Sequence, residues 1–216
     1  MCGRYSIGAE IQALANRLNV KVPSDFEPNY NAAPTQHLPV ISNYQPSGFT
    51  YFQWGIVPFW AKDEQKRLIN ARAETILEKA TFKKPFKSRR CLVAADGYYE
   101  WMKTDDGKLP YRICLENETP FVFAGIWERQ NEFEDQADFC IITTSASPSV
   151  AHIHNRMPVI LHPEAIQFWL SDTEDYEGLQ DVLRPLEDNL IKAYQVSKKV
   201  NNVQNNSFAL TEKINA

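Results

Sequence analysis

RCLVAADGYYEW, residues 90–101, reads as buried β-strand, because apolar and aromatic side chains fill it apart from Arg90, Asp96, Gly97 and Glu100. Seven further runs share that character: HLPVIS (37–42), FTYFQWGIV (49–57), YRICLE (111–116), FVFAGIW (121–127), DFCIITTSA (138–146), MPVIL (157–161) and IKAYQV (191–196). Turn-forming DDG and ENETP segments punctuate them. So many strands predict a curled, mostly antiparallel sheet or barrel-like core. Helical spacing is scarcer. It shows at Ile11, Leu14 and Leu18, near residues 72–79, in HPEAIQFWL, where Pro163 suits a first turn, and in YEGLQDVLRPL, which should end before Pro185. Long α/β alternation is absent, so the fold class expected is α+β, with a few helices packed outside the sheet.

The 216 residues, 44% apolar and 12% aromatic, suffice for one substantial core, and a single domain over 1–216 is expected. The polar tail, NNVQNNSFALTEKINA from Asn201, is expected to be less ordered from about residue 208. No apolar stretch approaches the roughly 18 residues of a membrane span, and no export signal opens the chain. The expected location is the cytoplasm, in association with the nucleoid, or the nucleus if the source has one. Reduced thiols are then the expected state of the four cysteines, with Cys91, Cys114 and Cys140 acting as small buried hydrophobes in strand-like runs.

The overall charge of −4 argues mildly against a nucleic-acid partner, but its distribution is uneven. Residues 62–90 carry ten Lys or Arg against four Asp or Glu, and the rest carries 13 against 23. A basic segment on an acidic body is the footprint of a groove for a phosphate backbone, or else a solvated helix face. Beside it, WGIVPFW supplies Trp54 for the core and Trp60 as an exposed residue that could stack an unpaired base.

Several residues carry chemistry. Glu100, between Tyr99 and Trp101, is a carboxylate in a buried setting and a general acid/base candidate, unless it faces solvent or is held by Arg72 or Arg112. In HIHNRMPV, His152, His154 and Arg156 alternate, so an extended chain would point all three one way. A histidine beside an arginine can donate a proton or hold a phosphate oxygen. LINARAET sets Asn70, Arg72 and Glu74 among apolar neighbours. There the amide and guanidinium could hold a phosphodiester or orient a nucleophile, or simply pair at a strand edge. No paired-cysteine or HExxH spacing supports a metal site, and neither metal nor other cofactor is expected.

Cys2 has a distinct possibility. Once Met1 is trimmed it becomes a 1,2-aminothiol, with an amine ordinarily titrating at about 7.7–8.0 and a thiol at about 8.5. An aldehyde can be caught twice by such a group, first as a Schiff base on the amine and then by the thiol on the same carbon, giving a five-membered thiazolidine.

Taken together, MCGRY at the start, NARAET from Asn70, RRCLVAADGYYEW from Arg89, FAGIWE from Phe123, TTSAS from Thr143, HNRMPVIL from His154 and VSKKVNN from Val196 resemble the SOS response-associated peptidase family, the abasic-site-processing proteins. The resemblance runs from Cys2 to about Ser207, with departures at Ala94 and Asn155. It implies recognition of abasic sites in single-stranded DNA and their capture as a thiazolidine crosslink on Cys2. By that resemblance Glu100 exchanges protons at the amine and carbinolamine, His154 helps open the sugar and reverse the link, and Asn70 positions the cysteine and the site's phosphate. Arg4, Arg72 and Arg156 bind backbone phosphates, and Trp60 stacks a base or separates strands. Weak abasic-site lyase activity follows when ring closure fails. The expected partner is abasic single-stranded DNA, with no membrane, and the expected assembly is a monomer. Two other readings stay open: a cysteine peptidase acting at its own N-terminus, and a non-covalent single-strand-binding module for which Cys2 is irrelevant.

Overall fold

The computed structural model describes residues 2–8, 10–61, 63, 66–129 and 136–214. In chain order the first half contains β1 (Tyr5–Ile7), α1 (Ile11–Leu18), β2 (Asn29–Ala32), β3 (His37–Ser42), β4 (Gln45–Trp54), β5 (Asn70–Arg72), α2 (Ala80–Ser88) and β6 (Arg90–Ala95). Next come β7 (Gly97–Thr104), β8 (Gly107–Leu115), β9 (Phe121–Arg129), β10 (Ala137–Ser145), α3 (Pro148–Ala151) and β11 (Arg156–Pro158). The chain ends with α4 (Ile166–Leu170), α5 (Tyr176–Asp181), β12 (Ile191–Gln195) and 3₁₀ turns at Lys198–Asn201 and Phe208–Leu210. None of the described helices is long and apolar enough to cross a membrane.

Residues 90–101 are not one strand but two, parted at Asp96 into different sheets. β6 joins a closed ring in which β10, β4, β3, β6 and β9 pair in turn and β9 pairs back with β10. Every pairing of that ring is antiparallel except β4 with β10. Closure removes the open edges that an unpaired strand would expose. β5 and β11 lie along β10 beyond the reach of β4 and β9, so the C-terminal half of β10 is flanked on both sides. β7 belongs instead to an open antiparallel sheet of order β12-β8-β7-β1-β2. The mostly antiparallel α+β architecture therefore stands, divided between a barrel and a sheet packed on it.

The two layers meet through aromatic edges. Tyr5 on β1 lies 5.2 Å from Trp54 and 5.9 Å from Phe123, and Tyr98 on β7 lies 6.1 Å from Phe123. Period-two alternation sends Tyr98 and Glu100 to one face of β7 and Tyr99 and Trp101 to the other. That second face is covered by the C-terminal segment, where Tyr99 packs with Val196, Val200 and Leu210. At the crossing between sheets, Gly97 is required. A Cβ there would stand 2.7 Å from the Arg112 guanidinium, which pairs with Asp96 at 2.8 Å.

Three local expectations change. Residues 72–79 form no α-helix: Asn70–Arg72 is spent on pairing with β10, a 3₁₀ turn follows at Ala73–Thr75, and the helix starts only at Ala80. Backbone groups engaged by a sheet edge are not available to a helical ladder, and this overrides the spacing. His152, His154 and Arg156 do not share an extended segment, because His152 closes α3 in a right-handed helical conformation and only Arg156 enters a strand. The polar tail packs back on the sheet, with Leu210 buried and the Ile214 N–H donating to the Gln195 carbonyl at 3.1 Å.

Candidate active site

All four cysteines are buried, Cys2 included, so the residue with special chemistry is no more exposed than the three structural thiols. Cys2 precedes β1 and its Sγ lies 3.9 Å from the Arg4 carbonyl, an acceptor that also takes the Tyr99 N–H at 2.9 Å. One oxygen therefore ties the thiol to the neighbour of Glu100. Burial, and after it the negative charge of Glu100, push the Cys2 thiol well above the usual thiol range. Glu100 is itself 5% exposed, on the inward face of β7. Arg112, one candidate to neutralise it, is instead committed to Asp96 and to the Tyr194 hydroxyl. Burial and the Glu100 carboxylate thus act on the Cys2 thiol in the same direction, and a titratable group perturbed by burial together with a specific charged neighbour is a candidate functional site.

A second group lies astride β10. Asn70 on β5 stands opposite Ile141 and Arg72 opposite Thr143, while Arg156 on β11 stands opposite Ser145. Asn70 Nδ2 is 3.5 Å from the Ile141 carbonyl, and its Oδ1 is buried with no hydrogen bond from any described residue. A buried acceptor left without a donor costs about 1–3 kcal/mol, and such an oxygen is suited to take a bond from an incoming N–H. The Arg156 backbone N–H donates to His154 Nδ1 at 3.0 Å, and the same ring nitrogen lies 3.3 Å from the Arg156 carbonyl, so both backbone groups of Arg156 orient the ring. Arg156 spreads its guanidinium across β10, donating to Glu74 Oε1 and Oε2 at 2.7 and 2.9 Å and to the Thr143 carbonyl at 2.7 Å. That pair holds the Glu74 carboxyl below the usual carboxylate range. Arg72 is exposed. The two groups connect through the core: Tyr5 packs on Trp54, whose indole N–H donates to the Ile69 carbonyl, next to Asn70, at 3.0 Å.

Trp60 stands apart from both groups. It is 58% exposed beside Phe59 at 79%, in the loop after β4, with its indole N–H donating to Thr81 Oγ1 on α2 at 3.2 Å. Trp54 is fully buried. Around that loop the basic segment is less of a free surface than its count suggests. Arg67 pairs with Asp138 and Arg89 with Glu128. Arg90 is buried and spends its donors on carbonyls of Phe86, Lys87, Trp169 and Ser171, closing the ends of α2 and α4. Lys66, Arg72, Lys79, Lys83 and Lys84 remain exposed, and Lys62 lies outside the described residues.

Arg4, expected at a phosphate, has one terminal nitrogen donating to Asn31 Oδ1 at 2.7 Å and to the Val200 carbonyl at 2.8 Å. Sequence reading also gave no role to Asn31, Thr143 or the Glu74 clamp. Glu74 and Thr143 lie inside the NARAET and TTSAS blocks, which is signal enough to have marked them, whereas nothing local marks Asn31.

Comparison with known proteins bears on the chain as a whole. A family model described as SOS response associated peptidase (SRAP) matches residues 1–203. The chain is 40% identical to the abasic site processing protein YoqW of Bacillus subtilis, over 98% of this chain and 99% of that one. It is 30% identical to the abasic site processing protein YedK of Escherichia coli, over 99% of this chain and 100% of that one. With HMCES, the abasic site processing protein of Gallus gallus, identity is 33% over 84% of this chain and 65% of the relative. A crystal structure of a protein from Bacteroides thetaiotaomicron superposes with a TM-score of 0.87 at 26% identity, covering 99% of this chain and 100% of that one.

Proposed function

This chain belongs to the SOS response associated peptidase family, and on that premise we propose that it processes abasic sites in single-stranded DNA by trapping them covalently on Cys2. The relatives named as abasic site processing proteins support the lesion. The observation that carries the covalent step is the burial of the Cys2 thiol against Glu100.

The chemistry runs in an order that this environment favours. Removal of Met1 frees the Cys2 amine. The neutral amine adds to the aldehyde of the ring-opened deoxyribose, giving a carbinolamine, and loss of its hydroxyl as water, with a proton taken up from solvent, leaves a protonated Schiff base. The thiol, kept protonated by burial and by Glu100, then adds through sulfur to the imine carbon. Its proton leaves by way of the Glu100 carboxylate, and the former imine nitrogen becomes the ring amine. The net change is aldehyde plus aminothiol to thiazolidine plus water. A thiol held un-ionised does not compete with the amine for the first attack, so the amine leads. Asn70 Oδ1 accepts from the amine as it attacks, and His154 shuttles a proton during ring opening, its imidazole taking the proton of the anomeric hydroxyl and returning one to the released ring oxygen, with the reverse transfer on reversal. The Schiff base also permits β-elimination, so a weak lyase side reaction follows whenever ring closure is delayed. Arg72 and the Arg156–Glu74 pair meet the backbone phosphates, and Trp60 stacks an unpaired base.

The test is a denaturing gel of Met1-trimmed protein with single-stranded DNA bearing one abasic site, beside an undamaged strand and Cys2→Ala. A shifted band confined to the abasic strand and the unsubstituted protein is expected. Its absence from protein shown by intact mass to begin at Cys2 would overturn the reading.

A further inference from the structure

A chain end frays unless something ties it down, and a reaction at residue 2 needs that end held to a fraction of an ångström. β1 is only three residues long, and its register with β2 shifts between Tyr5 and Ile7, so the ladder alone is a weak anchor. The missing anchorage is polar and comes from two distant segments. Asn31, fully buried on β2, directs its amide nitrogen at the carbonyls of Val200, Asn202 and Asn205, at 3.3, 3.0 and 2.9 Å. Its Oδ1 accepts from Arg4, which also donates to the Val200 carbonyl and lies 5.9 Å over the Trp101 ring. Both chain neighbours of Glu100 join the same assembly. The Tyr99 hydroxyl donates to the Tyr30 carbonyl at 2.8 Å, and the Trp101 indole N–H donates to Asn201 Oδ1 at 2.8 Å.

We propose that Asn31 and Arg4 are positioning residues for Cys2, clasping the segment that carries it, and the strand that carries Glu100, onto the turn at residues 198–205. Two acceptors use both hydrogens of one Arg4 terminal nitrogen, leaving that edge unable to serve a phosphate. The clasp sets register between the segment leading into β1, which holds Cys2, and β7, which holds Glu100. A change to it lowers the rate of the covalent step rather than the attraction for DNA. The inference rests on the capture reading for its kinetic consequence, and on the geometry alone for the lock.

Single-turnover capture of an abasic single strand by wild type, Arg4→Met and Asn31→Ala, over a DNA series at several salt concentrations, decides it. The expected result is a rate at saturating DNA lowered about tenfold to a hundredfold, with the final crosslinked fraction, the half-saturating concentration and the salt slope kept. For Arg4→Met, a slope reduced by about 0.7 with weaker half-saturation and an unchanged saturating rate would make Arg4 a phosphate ligand and overturn the proposal. So would wild-type rates in both variants, or a lower final fraction at unchanged rate, which is the mark of general fold support. Should Asn31→Ala fail to fold, Arg4→Met carries the test. Hydrogen exchange at the Tyr5–Ile7 amides without DNA reads the lock independently, with faster exchange expected in the variants. A wild type that forms no crosslink would sink the capture reading, while unchanged exchange would sink the clasp.

Discussion

The segment leading into β1, which carries Cys2, and the loop carrying Trp60 are built on opposite terms. Cys2 is fully buried, coupled to Glu100, and tied through Arg4 and Asn31 to a turn nearly 200 positions further along the chain. Trp60 leaves more than half its surface to solvent and keeps one side-chain bond, to Thr81. Covalent chemistry needs reacting atoms held in advance, whereas stacking on an unpaired base needs an open ring face. The two regions should therefore fail differently when altered, and each experiment below is aimed at that difference.

Cys2→Ala is the largest. It should abolish crosslinking outright while non-covalent affinity for single-stranded DNA, measured by fluorescence anisotropy, stays within about threefold, since surface charge and stacking carry that affinity. A parallel loss of affinity would merge the two regions into one. Glu100→Gln comes next and should separate two effects that usually travel together. Capture should slow about a hundredfold for want of a proton carrier. Yet the Cys2 thiol should titrate lower, because a neighbouring negative charge has gone, and pH-dependent alkylation of Cys2 followed by mass spectrometry reads this. A thiol that stays where it was would remove Glu100 from its surroundings. Trp60→Ala should weaken non-covalent binding by about 1 kcal/mol or more, roughly fivefold in Kd, without touching the saturating capture rate. A slowed saturating rate would extend the reactive site to the loop. The smallest change belongs to Arg72→Gln, which should lower the salt slope of binding by about 0.7, the share of one phosphate on a single strand.

Legibility followed the range over which each signal acts. Strands such as FVFAGIW and DFCIITTSA were readable because their burial depends on side chains within the run itself. The first helix and the Pro163 turn were readable for a similar reason, local spacing and a fixed φ. Two of the misreadings lie where a distant segment intervenes. Residues 70–72 become strand because β10 offers a free edge, and residues 90–101 split because Asp96 is claimed by Ser6, Gly8 and Arg112. Even the basic segment, correctly counted, is partly spent on Asp138, Glu128 and the Trp169 and Ser171 carbonyls, partners that no inspection of residues 62–90 would reveal.

From its letters alone, then, the chain determined which groups it has to react with: a cysteine at position 2, a carboxylate in an apolar run, a histidine near an arginine, an indole beside a basic segment. Residue identity decides intrinsic reactivity, and the ordered motifs decide the family. Only the tertiary structure decided which of these meet and in what state. Cys2, just before β1, and Glu100, on β7, are far apart in sequence, and their coupling, the rise of the thiol above its ordinary range and the diversion of Arg4 to Asn31 all come from burial and from contacts across long loops. Desolvation and hydrogen-bond partnership are properties of a place in the fold, and no residue carries them in its own side chain.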